Sequence, residues 1–148
     1  MPQQPSDSVR AWRQLMLVHA AVTSALDERL RREVGISGSW YEALVEIALA
    51  GGTMQMNEFA CETTLTKSGA TRFVDRLEAA GLVQRTSCPT DRRVWQLSLT
   101  EKGRALQHDA DPHVLATIED HFGRFLDPEE AGHLYETLSS MLPTPVRA

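Results

Sequence analysis

The chain has 148 residues, 42% apolar and 24% charged, with a net charge of −5 and two cysteines. A chain of that length buries roughly two-thirds of its unfolded surface, so these values exclude a disordered polymer and a fold that depends on disulfides or metal for its stability. The polar opening "MPQQPSDSVR" has no signal-like apolar run, and "LMLVHAAV" is far short of the ~20 residues of a membrane span, so a cytoplasmic protein with no membrane partner is expected.

From Val9 to Val34 the residues Trp12, Leu15, Met16, Val22, Leu26 and Leu30 recur at three- and four-residue steps, one face of a long helix that Gly35 can stop. Ser39, with Glu42 three residues on, has the pattern of a capping box ahead of "WYEALVEIALA", a second helix closed by Gly51 and Gly52. "TMQM" reads as a short strand, and Asn57 as the N-cap of a brief third helix, "EFACET". Thr66 caps a fourth helix that runs to about Ala80 and ends at Gly81. Its residues Ala70, Phe73, Val74 and Leu77 share one stripe, while Ser68, Thr71, Arg72 and Asp75 fall on the opposite side.

Two strand-like runs then flank the loop "SCPTDRRVW", and in the second Trp95, Leu97 and Leu99 alternate with Gln96 and Ser98 as in a half-buried strand. Thr100 caps a fifth helix of more than ~20 residues, interrupted at Pro112, where a bend is expected. Asp127-Pro128-Glu129-Glu130 is a strong start for the last helix, which carries Leu134, Leu138, Met141 and Leu142 and ends at Pro143. The expected fold is mainly α with a small β-ribbon. A winged helix-turn-helix lobe at about 39–104 is flanked by N- and C-terminal dimerisation helices at about 8–35 and 105–143, all in one domain. The outer helices are apolar enough to suggest that they bury their stripes in a second subunit.

The charge is unevenly placed. Between Thr66 and Arg104 eight basic residues face four acidic ones, a local +4 that leaves −9 for the rest. A basic block on an acidic body is the footprint of an anion-binding surface, with a solvated mixed-charge face as the plain alternative. Arg92 and Arg93 sit at a hairpin tip that has no core to pack against, so they point into solvent or meet something negative.

"SGATRFVDRLEAAGLVQR" followed by "DRRVWQLSLTEKGRAL" resembles the central signature of the MarR (multiple antibiotic resistance regulator) family of transcriptional regulators. The family's wing pattern falls on Asp91, Arg93, Leu99 and Thr100, and the close match spans about Asn57 to Leu106. The resemblance implies a homodimer in which each subunit offers a winged helix to half of a near-palindromic double-stranded DNA site. A recognition helix needs small hydrogen-bonding groups near its N-terminus so that its backbone can approach base edges, and Thr66, Lys67, Ser68, Thr71 and Arg72 meet that need. Lys67 and the capping amides suit a phosphate, and Arg72 suits a base, most naturally guanine. The resemblance places Arg93 in the minor groove and Arg92 on the backbone, with Asp91 orienting Arg93 or Arg85.

It also implies a repressor released by a small aromatic or phenolic effector, held between dimer layer and winged lobe. His19 on the first helix, with Trp40 and Tyr41 at the start of the second, are the candidate contacts, against the plain reading of core packing. Cys61, expected to pack on the third helix, and Cys88, the more exposed beside Pro89, leave open a thiol-based redox regulator instead. A winged-helix module that binds proteins without reading DNA is the other alternative; the polar outward stripe of the fourth helix lacks the apolar anchors it would want. His108 and His113 are five residues apart and do not share a helical face, so neither metal nor other cofactor is expected. No nucleophile–base pair, phosphate loop or carboxylate pair points to an enzyme.

Overall fold

The computed structural model describes residues 6–63, 66–88 and 94–142, with Lys67 by its backbone alone. In chain order the elements are α1 (Asp7–Glu33), α2 (Gly38–Leu49), β1 (Thr53–Gln55), α3 (Met56–Glu62), α4 (Lys67–Ala79), β2 (Val83–Ser87), β3 (Trp95–Leu99), α5 (Glu101–His121), a single 3-10 turn (Gly123–Phe125) and α6 (Pro128–Met141). The described chain is mainly α with one small sheet, a winged helix-turn-helix in its central part. It falls into two compact units, Leu26–Val114 and the pair of segments Met1–Ala25 and Leu115–Ala148.

Within Leu26–Val114, α2, α3 and α4 close over one face of a three-stranded antiparallel sheet of order β1-β3-β2. β3 is central because both partners register on it, Met54 opposite Leu97 on one side and Arg85 opposite Leu97 on the other. Leu44, Ile47, Phe59, Val74, Leu77, Val83, Leu97 and Leu99 fill the space between helices and sheet. A second small cluster joins Leu30 to Ala110 and Val114, with Leu26, Val34 and Tyr41 packed against it. On α4 the inward stripe is as expected: Ala70, Phe73, Val74 and Leu77 are all buried.

Two helix starts differ from the sequence reading. α2 is capped by Ser37, not Ser39: the Ser37 hydroxyl accepts from Trp40 N–H at 3.2 Å, and Ser39 lies inside the helix. The reason is tertiary, since the Gly38 N–H donates to the Asp27 carboxylate at 2.8 Å and so gains a partner at the very first turn. α3 starts after Gln55, whose N–H donates to Glu58 at 3.0 Å, so Asn57 is already helical. Thr66, Thr100 and Asp127 cap their helices as predicted, through Gly69 N–H, Gly103 N–H and the N–H groups of Glu129 and Glu130. α5 runs through Pro112 as one continuous helix.

Three burial expectations are also corrected. Trp95 is 50% exposed although it alternates in phase with Leu97 and Leu99, because it borders an open groove between α3, α4 and the ribbon. Cys61 is exposed and not packed, whereas Cys88 is the half-buried one, its N–H donating to the Val94 carbonyl at 2.8 Å.

Candidate nucleic-acid interface

α4 begins at Thr66, which sits in extended geometry while its hydroxyl accepts from Gly69 N–H at 3.1 Å. That cap satisfies one of the helix's first N–H groups and leaves others at the start of the helix free to meet an anion. Lys67 opens the helix, and Ser68, Thr71 and Arg72 follow as an exposed polar stripe opposite the buried one. The Ser68 and Thr66 hydroxyls lie 3.4 Å apart. Small side chains at 66, 68 and 71 keep this surface low, with Arg72 as the long donor beside them. Asp91, Arg92 and Arg93, assigned to the wing tip, lie outside the described residues.

Arg85 was counted with the basic block, but it faces α4. Its backbone N–H donates to Glu78 Oε1 at 3.1 Å, and its Nε and Nη2 donate to Glu78 Oε2 at 3.0 and 2.8 Å. Nη2 also reaches Asp75 Oδ1. The side-chain hydrogen bond from Arg85 is the main cause holding the Glu78 carboxyl below its usual range, and the same bond raises the Arg85 pKa. In the sequence Arg85 counts with the basic block and as a partner for Asp91; its spacing from Glu78 across a helix–turn–strand is the signal for this ion pair.

Between α3, α4 and the β2–β3 ribbon lies an open groove of about 620 Å³, lined among others by Asn57, Ala60, Thr71, Glu78, Arg85 and Trp95. The half-exposed Trp95 indole belongs to this groove.

Of the residues expected to hold an effector, Trp40 and Tyr41 pack against different clusters. Trp40 is half-buried against the main core and lines a cavity of about 380 Å³ with Arg31, Ser37, Phe73 and Arg76. Tyr41 packs against the second cluster instead, and its hydroxyl donates to Asp111 at 2.8 Å. His19 is exposed on the part of α1 that belongs to the other compact unit.

The sequence model of the MarR family matches residues 34–94, from the end of α1 to the start of β3. AbsC, a MarR family transcriptional regulator from Streptomyces coelicolor, is 30% identical and superimposes with a TM-score of 0.84 over 95% of each chain. A second MarR family regulator from the same organism, solved in complex with DNA, is 26% identical with a TM-score of 0.83, covering 95% of this chain and 89% of that one. The transcriptional repressor MprA of Escherichia coli K12 is 29% identical over 85 residues, 57% of this chain and 48% of that protein.

Proposed function

The chain belongs to the MarR family of transcriptional regulators, and on that premise we propose that it works as a homodimer whose two α4 helices read the halves of a near-palindromic operator. Membership makes it a DNA-binding regulator of transcription and not an enzyme. The observation that carries the reading of the site is the exposed stripe of α4, in which a capped N-terminus is followed by Ser68, Thr71 and Arg72 with no apolar anchor among them. Arg72 is the base-reading donor, and Thr66, Lys67 and Ser68 hold a phosphate at the helix start. Arg93 enters the adjacent minor groove, Arg92 meets the backbone, and Asp91 orients a neighbouring guanidinium.

The regulator represses, as the partial similarity to MprA supports. A small aromatic effector releases DNA by favouring a state in which the two recognition helices no longer match the half-site spacing, which requires the effector to prefer that state. Trp40, on the wall of its 380 Å³ cavity, is the best placed of the proposed contacts, with Tyr41 and His19 as the further candidates. Among the described residues no helix is long and apolar enough to cross a membrane, in keeping with action in the cytoplasm.

Fluorescence-anisotropy titration against the chain's own upstream intergenic DNA and an unrelated duplex, over a salt series, tests this function. A specific regulator prefers the upstream fragment by about 10³-fold or more and loses affinity steeply as salt rises. Equal, weak binding to both contradicts the proposed operator next to the gene. Arg93→Ala weakens specific binding by about 1–3 kcal/mol if it makes the groove contact, and unchanged affinity removes it from the interface.

A further inference from the structure

Asp75 is the one carboxylate on the outward stripe of α4, a turn beyond Thr71 and next in line after Arg72. Its carboxylate is about half exposed, and a negative charge at that place would face the phosphates that the rest of the stripe is built to meet. Glu78 follows it one turn further along the helix. Both carboxylates are taken by the same guanidinium, that of Arg85, which stands on β2 with its side chain only 22% exposed. The planar fork of arginine suits this, because Nε and Nη2 reach Glu78 together while Nη2 also turns to Asp75. Glu78 in addition accepts from the Arg85 backbone, so the tie fixes the strand as well as the side chain.

Resting on the DNA-reading function above, we propose that Arg85 is a positioning residue for operator recognition, which draws Asp75 away from the DNA and locks the β2–β3 ribbon to α4 in one register. The residue thus contributes to binding without touching DNA. Its loss makes the local charge more negative, from −1 to −2, beside the reading residues of α4 and removes the polar tie between ribbon and helix. A phosphate-contacting arginine behaves differently: its loss lowers the salt dependence and is indifferent to Asp75.

The test is a mutant cycle on the full chain, by anisotropy on the operator fragment, with Arg85→Gln, Asp75→Asn and the double variant, and far-UV circular dichroism as a check on folding. Arg85→Gln is expected to lose about tenfold in specific affinity, and Asp75→Asn in the same chain to restore most of it, since coupled neighbours depart from additivity on that scale. Asp75→Asn alone is expected to bind as well as the wild type or better, which keeps the idea open to test even if Arg85→Gln folds poorly. Arg85→Gln that binds like the wild type, a loss that Asp75→Asn does not restore, or a large loss from Asp75→Asn alone would each overturn it. A wild type that binds neither duplex overturns the DNA reading itself, and this inference with it.

Discussion

The Tyr41 hydroxyl donates to a carboxylate oxygen of Asp111 at 2.8 Å, joining the first turn of α2 to the middle of α5 between positions 70 residues apart in the chain. Both are half-buried, and the Gln107 amide also donates to the Asp111 carboxylate, at 3.4 and 3.5 Å. Burial, and then the bond to Asp111, push the Tyr41 phenol well above its ordinary value of 10.0.

Tyr41→Phe should therefore lower stability by about 1–2 kcal/mol, since it removes one hydrogen bond to a charged group that is partly screened by solvent. Urea unfolding at fixed protein concentration measures this as a lower midpoint with an unchanged slope. The sign with pH follows from the raised pKa: the contribution is fully present below the unfolded value of 10.0 and is lost as pH climbs through the folded one. The gap between wild type and variant should stay constant through neutral pH and close under strongly alkaline conditions. A gap that changes within the neutral range would contradict the assignment.

The start of α2 makes a discriminating pair. Ser37→Ala removes the acceptor of the Trp40 N–H and should cost about 1 kcal/mol. Ser39→Ala, at an exposed position already inside the helix, should change stability by less than about 0.5 kcal/mol. Thermal melts of the two variants decide between the caps, and the reverse order would restore Ser39 as the cap.

That pair also shows what was legible in the sequence. Thr66, Thr100 and Asp127 declared their helices because the cap and the first turn lie within four residues of each other. Ser37 and Ser39 are equally good caps by type, and the choice is made by Asp27, eleven residues earlier, which takes the Gly38 N–H. Periodicity likewise found both faces of α4, since burial on a helix follows its own repeat. Alternation could not tell that Trp95 borders an open groove, because that depends on where α3 and α4 stand against the ribbon. For the same reason the charge count treated Arg85 as free, although Glu78 and Asp75 hold it.

Gly103, in the "TEKG" run that opens α5, has a packing reason. A Cβ built there would stand 2.1 Å from the Leu82 carbonyl oxygen and 3.0 Å from its carbon, backbone atoms that cannot swing aside. Helix propensity favours alanine over glycine by about 1 kcal/mol, but this clash is the larger effect. Gly103→Ala should lose about 1–3 kcal/mol net through the forced separation of α5 from the turn before β2. An unfolding midpoint at or above that of the wild type would show that the backbone relaxes more freely than the close approach implies.

The last prediction concerns the proposed homodimer. Val9, Trp12 and Met16 lie along one face of α1 and are 46%, 61% and 45% exposed. In the same compact unit Tyr135, Met141 and Leu142 are about 70% exposed on and after α6. Each large apolar side chain left in water forgoes about 1.5–3 kcal/mol that full burial would supply, so a patch of this kind favours association. Trp12→Glu should shift the protein from dimer to monomer, and removal of the chain from Asp127 onward should give monomers or aggregates. Sedimentation velocity over a concentration series reads both. It should also show a matching loss of operator affinity in Trp12→Glu, because two half-sites are then no longer engaged together. A variant that stays dimeric would move the interface off this face of α1, and a wild type that is monomeric at micromolar concentration would remove the homodimer from the proposed mechanism.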